Sequence, residues 1–449
     1  MNKQDIFTQT PAIPYDGDCP MFLARGSKLV ALQFTGWRDE TMSWKKTAYI
    51  GAILNPAPTY KIKGREALKF LSDTNVNSFR NFPVGTGKHG IMCTEEGLIM
   101  MDGVIIRTAE DEFITYWLQP YIAYALQKGR YDAQGEDITG RVFLFQVAGP
   151  RSLEVLERAS DDDLHDIKFM HHRTSRINGT EVRILRMGMA GTLAYEVHGA
   201  IEGAQDVYKA IFLAGKECGI RKLGQVAYMM NHTEDGFPQA YYHFPYPWYE
   251  DSGFAEYLEK GGGNRFATRA EFRGSMGPDP KLRYRNPVEL GWAGMINFDH
   301  DFVGRRALET MVANPKRRMV TLEWSIEDVV DIYASQFRDE EPYPPMDRPN
   351  DVYYESARAH VYHADRVLKD GKLVGISSGR SISQFYRKML SLCSIDIEFS
   401  TIGTDLIVLW GDPGTRQKEV RAKVARFPYL NENRNQDIDV SAIPRAAKG

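Results

Sequence analysis

Residues 185–199, LRMGMAGTLAYEVHG, hold two runs of alternating side chains on either side of a break that carries Gly188 and Gly191. Upstream, Val182, Ile184 and Arg186 alternate with Arg183, Leu185 and Met187. From Thr192 the alternation resumes, with Leu193, Tyr195 and Val197 on one face and Thr192, Ala194, Glu196 and His198 on the other. A period of two on both sides of a glycine-bearing turn predicts a β-hairpin. Glu196 then shares its face with small residues. One reading is a site where a ligand sits against the sheet and donates hydrogen bonds to the acid, because a buried carboxylate without donors is costly. The alternative is a solvated outer face with Glu196 paired to Arg183 or Arg186 across the hairpin, and the strand pattern alone leaves both open.

Working outward, a 449-residue chain is too long for one ordinary core, so two or three domains are expected. A net charge of −3 suggests neither nucleic acid nor an anionic membrane surface as partner. The first twenty residues, MNKQDIFTQTPAIPYDGDCP, have no apolar signal-like core, and no run is long enough to span a bilayer, so a cytoplasmic enzyme is expected. Cysteines 19, 93, 218 and 393 are scattered without metal-ligand spacing, so neither a disulfide framework nor a metal site is expected. The adjacent pair His171 and His172 would point to opposite faces of a strand, and surface placement is the reading for both.

Three segments repeat one plan: YKIKGREALKFLSD (60–73), FQVAGPRSLEVLER (145–158) and DFVGRRALETMVA (301–313) each read as strand, glycine, apolar-periodic helix. Residues 202–217 predict a helix with Val207, Ile211 and Ala214 on one face and Gly219 beyond its end. No GxGxxG opens a helix after a strand, so a dinucleotide site of that type is not supported. Beyond residue 315 short strand signals dominate, among them RVLKDGKLVGISSG (366–379) with its Asp-Gly turn and DLIVLWGD (405–412), and they predict a small β-barrel or sandwich. FRDEEPYPPMDRPND (337–351) reads as an exposed loop within it. The class is α+β, with residues 1–314 as one region of two intertwined subdomains and 315–449 as a β-rich C-terminal domain.

LRMGMAGTLAYEVHG, NPVELGWAGMINFDHDFVGRRAL (286–308), RRMVTLEW (317–324) and GKLVGISSGRSISQFYRKMLSLCSI (371–395), in that order and spacing, resemble the folate-binding glycine-cleavage T-protein family. Within it, the chain is most similar to the tetrahydrofolate-dependent aryl-ether demethylases of the vanillate and syringate type, with methylenedioxy-opening relatives of the same fold. The resemblance implies three small domains around a central channel that holds tetrahydrofolate, with Glu196 accepting hydrogen bonds from the pterin and Tyr195, Trp292 and Arg387 completing the cofactor set. A carboxylate suits a pterin edge, where adjacent N–H donors can be accepted in a bidentate way.

Departures from the family pattern matter as much. Where T proteins carry an acid pair in a GGIIDDL context, this chain has EGLIMMDGVII (96–106): Met100 and Met101 oppose the pair and Asp102 lies one place along. A one-residue slip reverses the face of a strand residue, so Asp102 reads either as a catalytic acid or as a turn residue before Gly103. The arginine of the family's ARDxLR run is replaced within VAYMMNHTEDG (226–236), which disfavours aminomethyl transfer from a lipoyl carrier. The KGCYxGQ motif of the iron–sulfur assembly relatives is absent.

What replaces these features is aromatic. GFPQAYYHFPYPWYEDSGF (236–254) is a proline-stiffened loop with several phenols and an imidazole. Tyr246 aligns with the demethylases' tyrosine and is the leading catalytic candidate, followed by Tyr242 and His243, while Phe237, Phe244 and Trp248 are candidates to hold an aromatic substrate. A phenol with an ordinary pKa of about 10 matches the phenol released when an aryl ether is cleaved, so a positioned tyrosine could stabilise the leaving oxygen. Two neutral stretches, 51–60 with Ile53 and 113–127 with Leu118, are expected to wall the pocket and to favour an uncharged aromatic ether. The expected activity is carbon transfer from a methoxy or methylenedioxy arene to tetrahydrofolate. A glycine-cleavage aminomethyltransferase and a non-catalytic folate-binding regulator are the alternatives, and homo-oligomer formation is left open.

Overall fold

A computed structural model describes residues 8–9, 19, 21–25, 28–160, 162–261, 269–351 and 359–445. Most of the N-terminal stretch read above for a signal lies outside the described residues. Among the described residues no helix is long and apolar enough to cross a membrane.

The hairpin at 185–199 forms as its alternation predicts. Strand Thr180–Leu185 pairs antiparallel with Ala194–Ala200, with Leu185 opposite Glu196 and Arg183 opposite His198. Both belong to a six-stranded sheet that continues through Val142–Ala148 and Tyr49–Gly51 to Arg221–Leu223 and is flanked on its other side by His172–Ile177. Leu193, Tyr195 and Val197 pack against Leu153 and Leu156 of helix Ser152–Ser160 and Val207 and Ile211 of helix Ala204–Ala214. Ala194 faces the other way, into a cluster with Trp44, Tyr49 and Tyr228. The side of the sheet that carries Glu196 is therefore an interior side, and Glu196 is buried. The solvated-face alternative fails on this packing, and neither arginine pairs with the acid: Arg186 donates to the Asn435 carbonyl at 2.6 Å, and Arg183 to His172 Nδ1 at 2.8 Å.

His172 corrects the surface expectation for the histidine pair. It is buried while His171 is exposed, because strand alternation turns only one of them inward. Burial, reinforced by the Arg183 cation, pushes its pKa down to about 3, so it stays neutral.

A second, five-stranded sheet runs Gly87–Cys93, Ile99–Ala109, Glu112–Tyr116, Thr59–Lys63 and Gln134–Asp137, with helices Ala67–Thr74, Tyr121–Lys128 and Ser252–Glu259 beside it. Two of the three repeated strand–glycine–helix units appear as read. The third lacks its strand: residues 301–303 are irregular and lead directly into helix Arg305–Ala313. The expected helix 202–217 is shorter, Ala204–Ala214 between two single-turn 3₁₀ segments, and Gly219 follows in the left-handed region at φ 71°.

The C-terminal strands close into a six-stranded barrel. Strand Ala359–Lys369 pairs with both Lys372–Ser383 and Asp405–Trp410, and the ring is completed through Lys388–Asp396, Arg317–Trp324 and Lys418–Ala425. Asp370 and Gly371, at φ 50° and 75°, make the two-residue turn that Asp-Gly signals. A boundary at 315 does not separate the strands cleanly. Arg269–Arg273 lies upstream yet extends the barrel sheet beside Ala359–Lys369, and Val440 returns from the C-terminus to the core of the first sheet. Residues 337–351 form the expected loop, pinned at Met346, Asn350 and Asp351, which are buried.

Candidate active site

The site is built on the hairpin between Gly87–Cys93 and Ile99–Ala109. His89 stands opposite Val104 and Ile91 opposite Asp102, so His89 and Asp102 are diagonal neighbours on one face. Their side chains meet, His89 Nε2 to Asp102 Oδ2 at 2.9 Å. Asp102 is thus a strand residue and not a turn residue. Gly103 follows it for a different reason: a Cβ there would lie 2.1 Å from the Tyr116 carbonyl oxygen.

The aromatic loop is clamped onto this strand. Trp248 Nε1 donates to the Met100 carbonyl at 2.9 Å, the Tyr246 hydroxyl donates to Asp102 Oδ1 at 2.6 Å, and the Asp102 backbone N–H donates to the Tyr246 oxygen at 3.2 Å. Tyr246 lies flat on Trp248, with ring centroids 5.6 Å apart. Burial, together with the Asp102 charge, pushes the Tyr246 phenol well above its ordinary pKa. Tyr246, Asp102 and His89 therefore form one hydrogen-bonded row in which the carboxylate accepts from both sides.

His89 is the end of that row that borders a cavity of about 470 Å³. Its ring stands edge-on to Trp292 at 4.9 Å and 5.3 Å from Phe237, and its second nitrogen, Nδ1, is 3.4 Å from the Met295 sulfur. Phe237 and Trp292 line the same cavity with Val104, Met187 and Met295, so its wall combines aromatic and thioether surface. Charge enters from Lys88 and from Asp235 with its ion-paired partner Arg434.

Behind the wall formed by Val104 and Met187, which cluster with Tyr116, lies a polar interior around Glu196. Glu196 Oε2 is 3.1 Å from His198 Nε2, and the Tyr116 ring is 4.5 Å from the His198 ring. Burial, and then the Glu196 carboxylate, raise the pKa values of the Tyr116 and Tyr228 phenols. Thr192 Oγ1 and His198 Nδ1 are buried without a hydrogen bond, while the side-chain amides of Gln146 and Asn231 have only the Tyr228 and Tyr49 phenols as weak partners and His232 only the Phe237 backbone. Burial holds His232 neutral, at about 4, and its ring bridges Tyr228 to Phe237 at 5.2 and 6.3 Å. Buried polar atoms so weakly partnered are costly unless a ligand completes them.

Of the residues singled out by sequence, the structure brings together Tyr246, Asp102, Phe237 and Trp292, with Glu196 one layer away. Others have structural places. Tyr195 is on the opposite face of its strand from Glu196, in the core against the helices. Arg387 is exposed in the turn between two barrel strands, at φ 57°. Tyr242 donates to the Arg380 carbonyl at 3.3 Å, and His243 accepts from the Gln239 N–H at 3.0 Å with its ring tight against Gly379, so both brace the loop on the barrel. Phe244, Trp248, Ile53 and Leu118 are fully packed core side chains. No residue of 51–60 or 113–127 lines the cavity, and the argument from those neutral stretches to an uncharged substrate falls with them. His89, His232, Gln146 and Asn231 were not singled out from the sequence.

Residues 33–242 match the GCVT N-terminal domain. The chain is 46% identical over 432 residues to sesamin methylene transferase of Sinomonas sp., covering 95% of this chain and 96% of that protein. It is 32% identical over 424 residues to syringate O-demethylase of Sphingobium sp., covering 89% and 90%. The chain belongs to the GcvT family. The fold agrees: glycine cleavage system aminomethyltransferase T from Bartonella henselae superposes with a TM-score of 0.67 over 93% of this chain and 96% of that one, at 14% identity. The cavity draws lining residues from the second sheet, from the turn after Leu185, from the helix end at Asp235, from the 290–297 segment and from the C-terminal return.

Proposed function

We propose that this chain moves a one-carbon unit from an aromatic ether to tetrahydrofolate, and that the ether is a methylenedioxy bridge. The observation that carries the reading is the His89–Asp102–Tyr246 row ending at an aromatic-walled cavity, in a chain nearly half identical to a methylene transferase along almost its whole length. The residues present fit the cofactor. Glu196 offers two acceptor oxygens, and Gln146, Asn231 and His232 offer the mixed donors and acceptors that a pterin edge would satisfy. Bound tetrahydrofolate supplies the amine that accepts the carbon.

The chain's own residues do the rest. Phe237 and Trp292 can hold a flat ring, and confinement in one cavity orients the reacting partners. The carboxylate of Asp102 fixes the imidazole of His89 on one side and the phenol of Tyr246 on the other, which gives the site a proton store beside the ether oxygen.

Incubation with tetrahydrofolate and either a methylenedioxybenzene or a methoxybenzene, followed by mass identification of the folate product, tests the reading. The expected product is methylenetetrahydrofolate from the first compound. Folate binding with no carbon transferred from either ether would replace this reading with the non-catalytic one. A second prediction concerns affinity. Glu196→Ala is expected to weaken tetrahydrofolate binding by about 1.5–3 kcal/mol, the usual worth of a hydrogen bond to a charged group. Calorimetric titration showing an unchanged affinity would remove Glu196 from the cofactor site.

A further inference from the structure

We propose that His89 is the acid that protonates the departing aryl oxygen, with Asp102 and Tyr246 as positioning residues behind it. This rests on the aryl-ether reading above and assigns the proton to a residue that strand register, not a sequence motif, brings to the site.

Three observations lead there. The first is access: His89 lines the cavity, whereas neither Asp102 nor Tyr246 is among its lining residues. The second is the direction of the hydrogen bonds. Tyr246 has one hydroxyl proton and commits it to Asp102 at 2.6 Å, while its oxygen already accepts from the Asp102 backbone. A phenol so engaged must break its shortest hydrogen bond before it can donate elsewhere. The third is the state of the imidazole. An ionised carboxylate can only accept, so the 2.9 Å contact fixes a proton on Nε2 and leaves Nδ1 as the nitrogen free to exchange one. Nδ1 meets only the Met295 thioether, at 3.4 Å. A thioether is a weak acceptor, so Nδ1 has no strong partner of its own to compete with the departing oxygen.

The step balances. Both carbon–oxygen bonds of the methylenedioxy bridge break in turn, each with its electron pair going to its aryl oxygen, and the carbon would pass to two amine nitrogens supplied by tetrahydrofolate, whose two protons go to solvent. The first aryl oxygen to depart takes the Nδ1 proton from His89, the second takes one that solvent has restored to Nδ1, and the ring is left as a catechol. His89 is left neutral with Nε2–H still on Asp102, and solvent returns the Nδ1 proton before the next turnover. No oxidant or metal enters. The arrangement follows the logic of a carboxylate holding a histidine in one tautomer, used here to give a proton to a leaving group.

His89→Gln and His89→Asn test this with two substrates, 1,3-benzodioxole and its 4-nitro derivative, whose departing phenol is far more acidic. A poor leaving group needs the proton and a good one does not. Wild-type enzyme turning over both compounds sustains the functional reading, and the variants then decide the role of His89. The expected result is a loss of about 10²–10⁴-fold on benzodioxole and less than about tenfold on the nitro compound, with folate affinity and melting temperature unchanged. Independently of turnover, the ¹⁵N spectrum of labelled wild type should show His89 protonated at Nε2, and Asp102→Asn should shift that resonance. Equal losses on both substrates would make His89 a packing residue, and wild-type rates would remove it altogether. Either outcome overturns the proposal alone, whereas a wild type inert toward both ethers overturns the functional reading with it.

Discussion

Replacing Asp102 with asparagine is expected to lower turnover by about 10²–10⁴-fold while leaving the fold intact. Both carboxylate oxygens are engaged, one by Tyr246 and one by His89. An amide of the same shape presents one acceptor and one donor, so it satisfies only one of these neighbours as they stand. Turned toward His89, its NH₂ requires the imidazole to give up the Nε2 proton, which selects the wrong tautomer. Turned toward Tyr246, it leaves that hydroxyl facing another donor. In both cases the carboxylate that holds the His89 ring in place is gone. Tyr246→Phe should cost less, about 10–100-fold, since it removes one charge-assisted hydrogen bond and leaves the carboxylate. Single-turnover rates for the two variants rank the residues. If Tyr246→Phe were the more damaging, the phenol would itself be the acid and the row would have to be read in the opposite direction.

The contrast between these two residues also shows which parts of the site a sequence can carry. The hairpin at 185–199 was legible because an antiparallel pair with one face on helices writes its alternation directly into the chain, and the same alternation put Glu196 and Tyr195 on opposite faces. The aromatic loop was legible from its prolines. His89 was not, because its meaning depends on register: it reaches Asp102 only through the pairing of Gly87–Cys93 with Ile99–Ala109, which sets His89 opposite Val104. Reading Asp102 as a turn residue hid that pairing, although the intervening TEEG at 94–97 is itself the turn. Tyr242 and His243 rank just behind Tyr246 in a loop of phenols, and only the barrel packed on the other side of the loop separates bracing residues from the row that reaches the cavity. Ile53 and Leu118 failed differently. Apolar neutral stretches describe a pocket wall and a core equally well, and most such stretches are core. Arg387 sits in a strand-to-strand turn whose position a motif match does not fix.

The largest effect on stability is expected at Glu234, beside the cavity but outside the chemistry. Its carboxylate accepts from Trp44 Nε1 at 3.0 Å and from Ser383 Oγ at 2.6 Å and pairs with Lys45 at 2.6 Å, all with the two charged side chains nearly inaccessible. These partners come from two places, helix Ser43–Lys46 and the barrel strand Lys372–Ser383, while Glu234 itself stands on helix Gln225–Asp235. The acid therefore ties the barrel to the first sheet's helices at one point. Glu234→Ala strands a buried ammonium together with an indole N–H and a hydroxyl, and the expected destabilisation is about 3–5 kcal/mol, the usual cost of removing one partner of a buried pair. Removing both charges in a Lys45→Met, Glu234→Gln double variant should recover a large share of that loss, because the amide still serves Trp44 or Ser383 and no charge is left uncompensated. Denaturant midpoints of the three proteins decide it, and a Glu234→Ala protein within about 0.5 kcal/mol of wild type would show the pair to be dispensable. Asp235, the next residue, lines the cavity and holds Arg434 there. A loosened Glu234 should consequently weaken folate binding at temperatures well below global unfolding, whereas damage confined to the barrel would leave that affinity untouched until the protein melts.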